Sequence, residues 1–266
     1  MTTDGHILLS TTGLTKSFGV GAAALTVIDD LNLEIRAGDV TCLVGPSGVG
    51  KTTLLHLLAG LSLPTSGAVA IKGAQITEPV EDIAVVFQDY RSSLMPWMRV
   101  LPNVAFPLEG RGVSKPEREK RAEDALRLVG LAGSGSKYPW QLSGGMQQRV
   151  AIARALAYES PVLLMDEPFG SLDAQTRFEL EDLVLGLRRD LGITIVLVTH
   201  DIDEAVYLGD RVVVLGGRPS RIVDDVEVPL GRDRNQLTTR STSTFVDMRT
   251  RVLQEIQRHA IDPAKV

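Results

Sequence analysis

Two short stretches hold residue types in an order suited to handling phosphate. The first, Gly45-Pro46-Ser47-Gly48-Val49-Gly50-Lys51-Thr52, follows the pattern G-x-x-x-x-G-K-[ST] of a P-loop. Its glycines let the backbone curl so that successive N–H groups point inward, and a helix starting at its end adds about half a positive charge. A polyphosphate is the natural occupant. Lys51 brings a full charge to the β and γ phosphates, Thr52 offers a hydroxyl to a magnesium ion, and Thr53 completes the phosphate-binding set. The second stretch, Pro161-Val162-Leu163-Leu164-Met165-Asp166-Glu167, is an apolar run ending in two carboxylates. In an open α/β sheet the carboxyl ends of the strands form the ligand crevice, so both acids are expected beside the phosphates. Adjacent side chains point in different directions. That assigns Asp166 to the magnesium and Glu167 to an attacking water, as candidate general base.

A third stretch, Leu142-Ser143-Gly144-Gly145-Met146-Gln147-Gln148-Arg149, places a serine and two glycines before a helix beginning near Met146. It is a second backbone cradle for an anion, with a simple helix cap as the plainer alternative. Two separate cradles in one chain invite a site shared between two chains.

These residues need elements to hold them. The β-branched apolar run 40–44 before the P-loop suits a buried parallel strand, and 53–59 reads as a helix. Residues 7–17 and 25–35 alternate apolar and polar around Gly19 and Gly21, which predicts an antiparallel hairpin, with 68–71 extending its sheet. From 92 to about 135 the strand signal disappears, and a charged amphipathic helix runs from Lys115 toward Val129, so this part is expected to be a helical lobe. Strands return at 162–165, 193–198 and 211–215, with a helix over 174–191. Strands alternating with helices predict a mainly parallel α/β sheet. The last segment, 244–260, sets Phe245, Met248, Val252 and Ile256 at helical spacing behind a Thr244-x-x-Asp247 cap and is read as a terminal helix packing on the core. Arg232, Arg234 and Arg240 in the tail before it read as a solvated end, with a regulatory appendage as the alternative.

The totals narrow the function further. With 266 residues, 44% hydrophobic and 23% charged, the chain can bury a sizeable core, and its net charge of -5 argues against a nucleic-acid partner. Cys42 is the single cysteine, which excludes a disulfide framework or a cysteine zinc cluster and fits a reducing cytoplasm. The opening residues lack a basic region followed by an apolar stretch, so no signal peptide is expected. The longest uncharged run, 52–71, contains His56, Gly60 and Pro64 and reads as helix, turn and strand, not a membrane span.

The order of these stretches resembles the ATP-binding cassette (ABC) ATPases, whose signature LSGGMQQR is similar to. The resemblance covers residues 7 to about 225. It implies a P-loop NTPase (RecA-like) core with a mainly parallel sheet, an N-terminal antiparallel β subdomain and an inserted helical subdomain at about 89–157. The ATPase domain is then 1–225, and 226–266 is a C-terminal tail with a terminal helix. Gln88 matches the glutamine that approaches the magnesium and the water, and His200 in Val198-Thr199-His200-Asp201 matches the switch histidine at the γ phosphate. Asp173 in Ser171-Leu172-Asp173 matches the D-loop, and Phe18 falls where the family stacks an aromatic ring, more often tyrosine, on adenine. The implied unit is a head-to-tail pair, with ATP and Mg2+ held by the P-loop of one copy and by Ser143, Gly144 and Gly145 of the other.

Among proteins of this kind, chromosome-maintenance cassettes carry a long coiled coil before the signature, whereas only about 55 residues separate Gln88 from Ser143 here. Translation-factor cassettes carry two P-loops in one chain, and exporters usually fuse the cassette to membrane helices. A stand-alone importer subunit fits best. Leu94-Met95-Pro96-Trp97, Asn103-Val104 and Gly217-Arg218-Pro219 are similar to the nitrate, sulfonate and taurine group, although the link 90–94 is longer than is usual there. The expected partners are a second copy, integral membrane permease subunits contacting residues 90–97 and, indirectly, a substrate-binding protein; Trp97 and Met98 filling the lobe's core is the alternative. The expected place is the cytoplasmic face of the cell membrane, as a peripheral protein. A soluble cassette ATPase acting on an assembly factor is the competing function.

Overall fold

The chain is described by a computed structural model covering residues 6–19, 21 and 24–259; the leader reading at 1–5 and the expected end of the last helix at Ala260 lie outside the described residues. Strands β1 (Ile7–Phe18) and β2 (Leu25–Arg36) form the expected antiparallel hairpin. In β2 the alternation does the sorting: Leu31, Leu33 and Ile35 are buried, while Asn32, Glu34 and Arg36 face water. The chain enters β3 (Val40–Val44), buried at all five positions, turns through residues 45–50 into α1 (Lys51–Leu58), and returns as β4 (Ser66–Ile71) beside β1. With β5 (Ala74–Gln75) this closes a four-stranded sheet in the order β2-β1-β4-β5.

After β6 (Ile83–Val86) come only helices: α2 (Tyr90–Ser93), α3 (Val100–Ala105), α4 (Lys115–Leu128) and α5 (Gly144–Ala157), with short 3-10 turns between them. Strands and helices then alternate as β7 (Val162–Asp166), α6 (Ala174–Leu191), β8 (Thr194–Val198), α7 (Ile202–Leu208) and β9 (Arg211–Gly216), closing with β10 (Arg221–Glu227) and α8 (Ser243–Arg258). The second sheet runs β10-β9-β3-β8-β7-β6, parallel throughout except for the antiparallel edge pair β9–β10. Its register matters for chemistry: Val198 pairs with Leu43 on one side and Asp166 on the other, and Met165 pairs with Val86. The chain segments following β3, β6, β7 and β8 therefore emerge together at one edge. No helix among the described residues is long and apolar enough to cross a membrane.

Two local expectations and one alternative reading are overturned. Helix α8 starts earlier than predicted, capped by Thr242, whose hydroxyl accepts from Phe245 N at 3.2 Å, instead of by Thr244. The apolar stripe fixes the buried face of a helix but not its first residue. The tail is not a solvated end. The Arg234 side chain is 1% exposed, because α7 ends with carbonyls that lack helical partners, and Arg234 Nη1 donates to Tyr207 O at 2.7 Å and Gly209 O at 2.9 Å. Asp210 anchors this region, accepting from Val40 N at 2.9 Å and pairing with Arg188 at 2.6 Å and Arg234 at 3.2 Å. Nor does Trp97 fill the lobe's core: it is 75% exposed, and Leu94 is buried instead. The cause is Asn103, fully buried, whose side chain accepts from Met95 N at 2.8 Å and donates to Met95 O and Met98 O at 3.0 and 2.9 Å. It ties the 95–98 loop into a knot with Trp97 on the outside.

Candidate functional site

Gly45 shows why this loop needs its residue types. At φ +153° a Cβ there would stand 2.4 Å from the Leu215 carbonyl oxygen of the neighbouring strand β9, so only glycine fits between β3 and the turn. Gly50, at φ +106°, caps α1, and its left-handed backbone opens the loop for that helix's first turn. Buried Lys51 folds back across the loop, donating to Gly45 O at 2.9 Å and Pro46 O at 3.1 Å. Burial pushes its ammonium pKa down against the pull of Glu167 and Asp166.

Across the register, Thr52 Oγ1 donates to Asp166 Oδ1 at 3.2 Å. Burial raises the Asp166 pKa, opposed by that hydrogen bond and reinforced by Glu167. The two acids part because β7 ends between them. Glu167 takes φ +41°, a left-handed backbone rare for glutamate, while its N–H still bonds Val198 O at 2.9 Å. Its Oε2 accepts from Gln88 Nε2 at 3.1 Å and faces His200 Nδ1 at 3.1 Å. A carboxylate carried on a strained backbone therefore sits beside the phosphate loop with both partners on a single oxygen.

A second group lies elsewhere. Ser143 caps α5, its Oγ accepting from Met146 N at 3.3 Å. A Cβ on Gly145 would meet Thr176 Cγ2 at 2.3 Å, so glycine is what lets α5 start against the first turn of α6. Asp173 caps α6, accepting from Thr176 N at 3.0 Å and Thr176 Oγ1 at 2.7 Å, and these bonds hold its carboxyl below the usual range. Among the described residues, no hydrogen bond joins Ser143, Gly144 or Gly145 to loop 45–52. The structure thus gathers Gln88, Asp166, Glu167 and His200 at the P-loop and leaves Ser143–Gly145 with Asp173 as a separate cradle. Phe18, at the end of β1, is half exposed with Lys16 Nζ 5.0 Å from its ring centre, so its ring is not part of the core.

Sequence reasoning missed two arginines. Arg177 donates to Asp201 Oδ2 at 3.1 Å and to Leu172 O at 3.4 Å, joining the segment that holds Asp173 to the residue after His200. Arg218, in the β9–β10 loop, places Nη2 3.6 Å from where a Cβ on Gly48 would stand. Ser220 anchors that loop, donating to Val27 O and accepting from Asp29 N. The Thr176-Arg177 and Gly217-Arg218-Pro219 stretches, both similar to the nitrate, sulfonate and taurine group, were the signals, and neither carried a direction.

The site fits a nucleotide with magnesium. A loop that closes against β9 only because Gly45 lacks a Cβ, an ammonium turned into it and a hydroxyl–carboxylate pair beside it form a donor set for phosphate and one hard cation. Among the described residues no cluster of three or more His, Cys, Asp or Glu could hold a metal by itself.

Comparison with known proteins agrees. The family model described as ABC transporter matches residues 28–170, more than half of the chain. The taurine import ATP-binding protein TauB of Chromobacterium violaceum is 43% identical over 237 residues, 88% of this chain and 90% of that one. The nitrate import ATP-binding protein NrtC of Synechococcus elongatus is 42% identical over 241 residues, 90% of this chain but 36% of that longer protein. Among solved structures, a dimeric post-hydrolysis state of the ATP-binding cassette MJ0796 bound to ADP and Pi superposes with a TM-score of 0.73 at 33% identity, covering 84% of this chain and all of that one. With loop, acids and signature in place on this fold, the chain belongs to the ABC transporter family, as an ATP-binding and ATP-hydrolysing cassette of the nitrate, sulfonate and taurine group.

Proposed function

We propose that the chain is the ATPase subunit of a membrane importer for a small solute of the nitrate, sulfonate or taurine kind, working as a head-to-tail pair at the cytoplasmic face of the membrane. The observation that carries the pairing is the split site. One surface holds the phosphate loop with Glu167, and another holds Ser143–Gly145, so a second copy supplies what the first lacks. The dimeric solved relative supports this.

Magnesium, when bound, neutralises phosphate charge. Thr52, Asp166 and Gln88 would hold it, and Lys51 with the backbone of 45–53 holds the phosphates. Glu167 takes the proton of the attacking water, with Gln88 and His200 orienting its carboxylate from one oxygen. Asp173 and the partner's Ser143, Gly144 and Gly145 complete the pocket, while Phe18 stacks on the base. Pairing is favoured while the γ phosphate bridges both surfaces and released after hydrolysis.

Docking of a permease is supported by exposed Trp97 and by a largely apolar groove lined by Leu61, Val80, Val85, Phe87, Pro107 and Tyr158. The test is affinity capture of tagged Glu167→Gln protein from detergent-solubilised membranes, with mass spectrometry of the retained proteins. A multi-span permease is the expected find, and recovery of soluble assembly proteins alone would favour the competing function.

A further inference from the structure

The best-organised polar cluster outside the nucleotide site joins the tail to α6. Glu181, 1% exposed, accepts through Oε2 from Arg240 Nη2 at 2.6 Å and from Gln236 Nε2 at 3.0 Å. Gln236 Nε2 also donates to Asp182 Oδ1 at 2.9 Å, which in turn accepts from the Tyr207 hydroxyl of α7 at 2.7 Å. The Arg240 guanidinium lies between three rings, 4.7 Å from Tyr207, 5.0 Å from Phe178 and 5.8 Å from Phe245. One arginine thus touches α6, α7 and α8 at once.

Helix α6 meets the reaction at its first turn, one to two turns before Glu181 and Asp182. Its cap is Asp173, and Arg177 in its first turn reaches Leu172 O on one side and Asp201 on the other. Asp201 follows His200 directly and caps α7 through Glu204 N at 3.1 Å. Helix α7 is therefore tied to α6 at both of its own ends, by Arg177–Asp201 near the nucleotide and, one to two turns farther along α6, by Tyr207–Asp182 and the tail residues. Two helices tied at two separate points cannot turn about either tie alone.

We propose that Gln236 and Arg240 are positioning residues for hydrolysis, clamping α6 and α7 so that Asp173 and His200 stand in register. The inference rests on the roles given above to those two residues. The tail does not touch the nucleotide in this scheme, so it alters turnover and leaves binding at the P-loop intact.

The test uses the full chain with Gln236→Ala, Arg240→Lys, Arg177→Lys and the combination of Gln236→Ala with Arg177→Lys. Initial rates give kcat and KM, a fluorescent ATP analogue gives affinity, and circular dichroism shows which variants are folded at the assay temperature. In Gln236→Ala and Arg240→Lys, kcat should fall about tenfold while nucleotide affinity stays within about twofold. The combined variant should lose less than the product of the single losses, because both act through one helix. Arg240→Lys keeps the charge opposite Glu181 and decides the matter if Gln236→Ala unfolds. Unchanged kcat, affinity falling in step with kcat, or two independent losses that multiply would overturn the clamp. Normal turnover in His200→Ala would instead overturn the site reading beneath it.

Discussion

Replacing Asp210 by asparagine removes one negative charge from a place where two guanidiniums have almost no other solvent to turn to. The Arg188 and Arg234 side chains are 4% and 1% exposed, and both pair with Asp210, at 2.6 and 3.2 Å. Removing one partner of a buried ion pair costs about 3–5 kcal/mol, mostly from the charge left uncompensated. Asparagine keeps one carbonyl oxygen for Val40 N or Arg188, and the Asp210 side chain is itself 21% exposed, so the lower end, about 3 kcal/mol, applies. With an unfolding entropy of about 2.1 cal/mol/K per residue, the whole chain carries about 0.6 kcal/mol/K, and Tm should drop by about 5 °C. Urea and thermal unfolding followed by circular dichroism measure both quantities. Because the pair is shielded from the solvent, the loss should persist at high salt. A change below about 1 kcal/mol, the range of exposed pairs, would show that the cluster behaves as a surface pair and refute the burial argument.

Other outcomes follow from the site and the buried acids. Glu167→Gln retains an acceptor for Gln88 and should bind ATP and trap the dimer, with turnover reduced about 10²–10⁴-fold; steady-state rates close to wild type would remove Glu167 from the role of base. Ser143→Arg should leave nucleotide binding at the P-loop intact and block ATP-driven pairing in size-exclusion chromatography, whereas unchanged pairing would contradict a shared site. Burial raises the Glu204 pKa well above its ordinary value, reinforced by Glu181 and Asp201, and among the described residues Oε1 has no hydrogen-bond partner. Between the ordinary and the raised pKa the folded chain holds a proton that the unfolded chain releases, so stability falls as pH rises through that window. Glu204→Gln should flatten this slope, measured as unfolding free energy at acidic and neutral pH; an unaltered slope would mean that Glu204 does not titrate there.

What the sequence made legible was the part governed by local rules. The alternation in β2, the uniformly apolar β3 and β7, and both ends of α6, with Asp173 as cap and Gly192 in a left-handed turn, follow from side-chain period and turn chemistry. The proximity of loop 45–52 to Asp166 was also readable, because parallel strands deliver their carboxyl ends to one edge. The tail was not. Arg234 is buried because α7 happens to end beside it with open carbonyls, and that is a fact of tertiary placement with no local pattern. Asn103 looks like any helix asparagine until the 95–98 loop wraps it, and the left-handed backbone of Glu167 is invisible to composition.

The outward turn of Trp97 has a practical consequence in optical spectroscopy. The chain has two tryptophans, Trp97 and Trp140, and both stand on the surface of the helical lobe, 75% and 68% exposed. Neither sheet contains one. Trp140 stacks on Tyr138 with ring centres 5.8 Å apart, while the Trp97 ring stands in water. The tryptophan emission of the unlabelled protein, excited selectively at the red edge, is therefore a report from this lobe alone. A quencher in solution, or a membrane subunit pressed against the lobe, reads out directly as a change of intensity or colour. The only thiol, Cys42, is fully buried in β3 with its pKa pushed well up, so a single cysteine introduced anywhere on the surface would accept a second dye without competition.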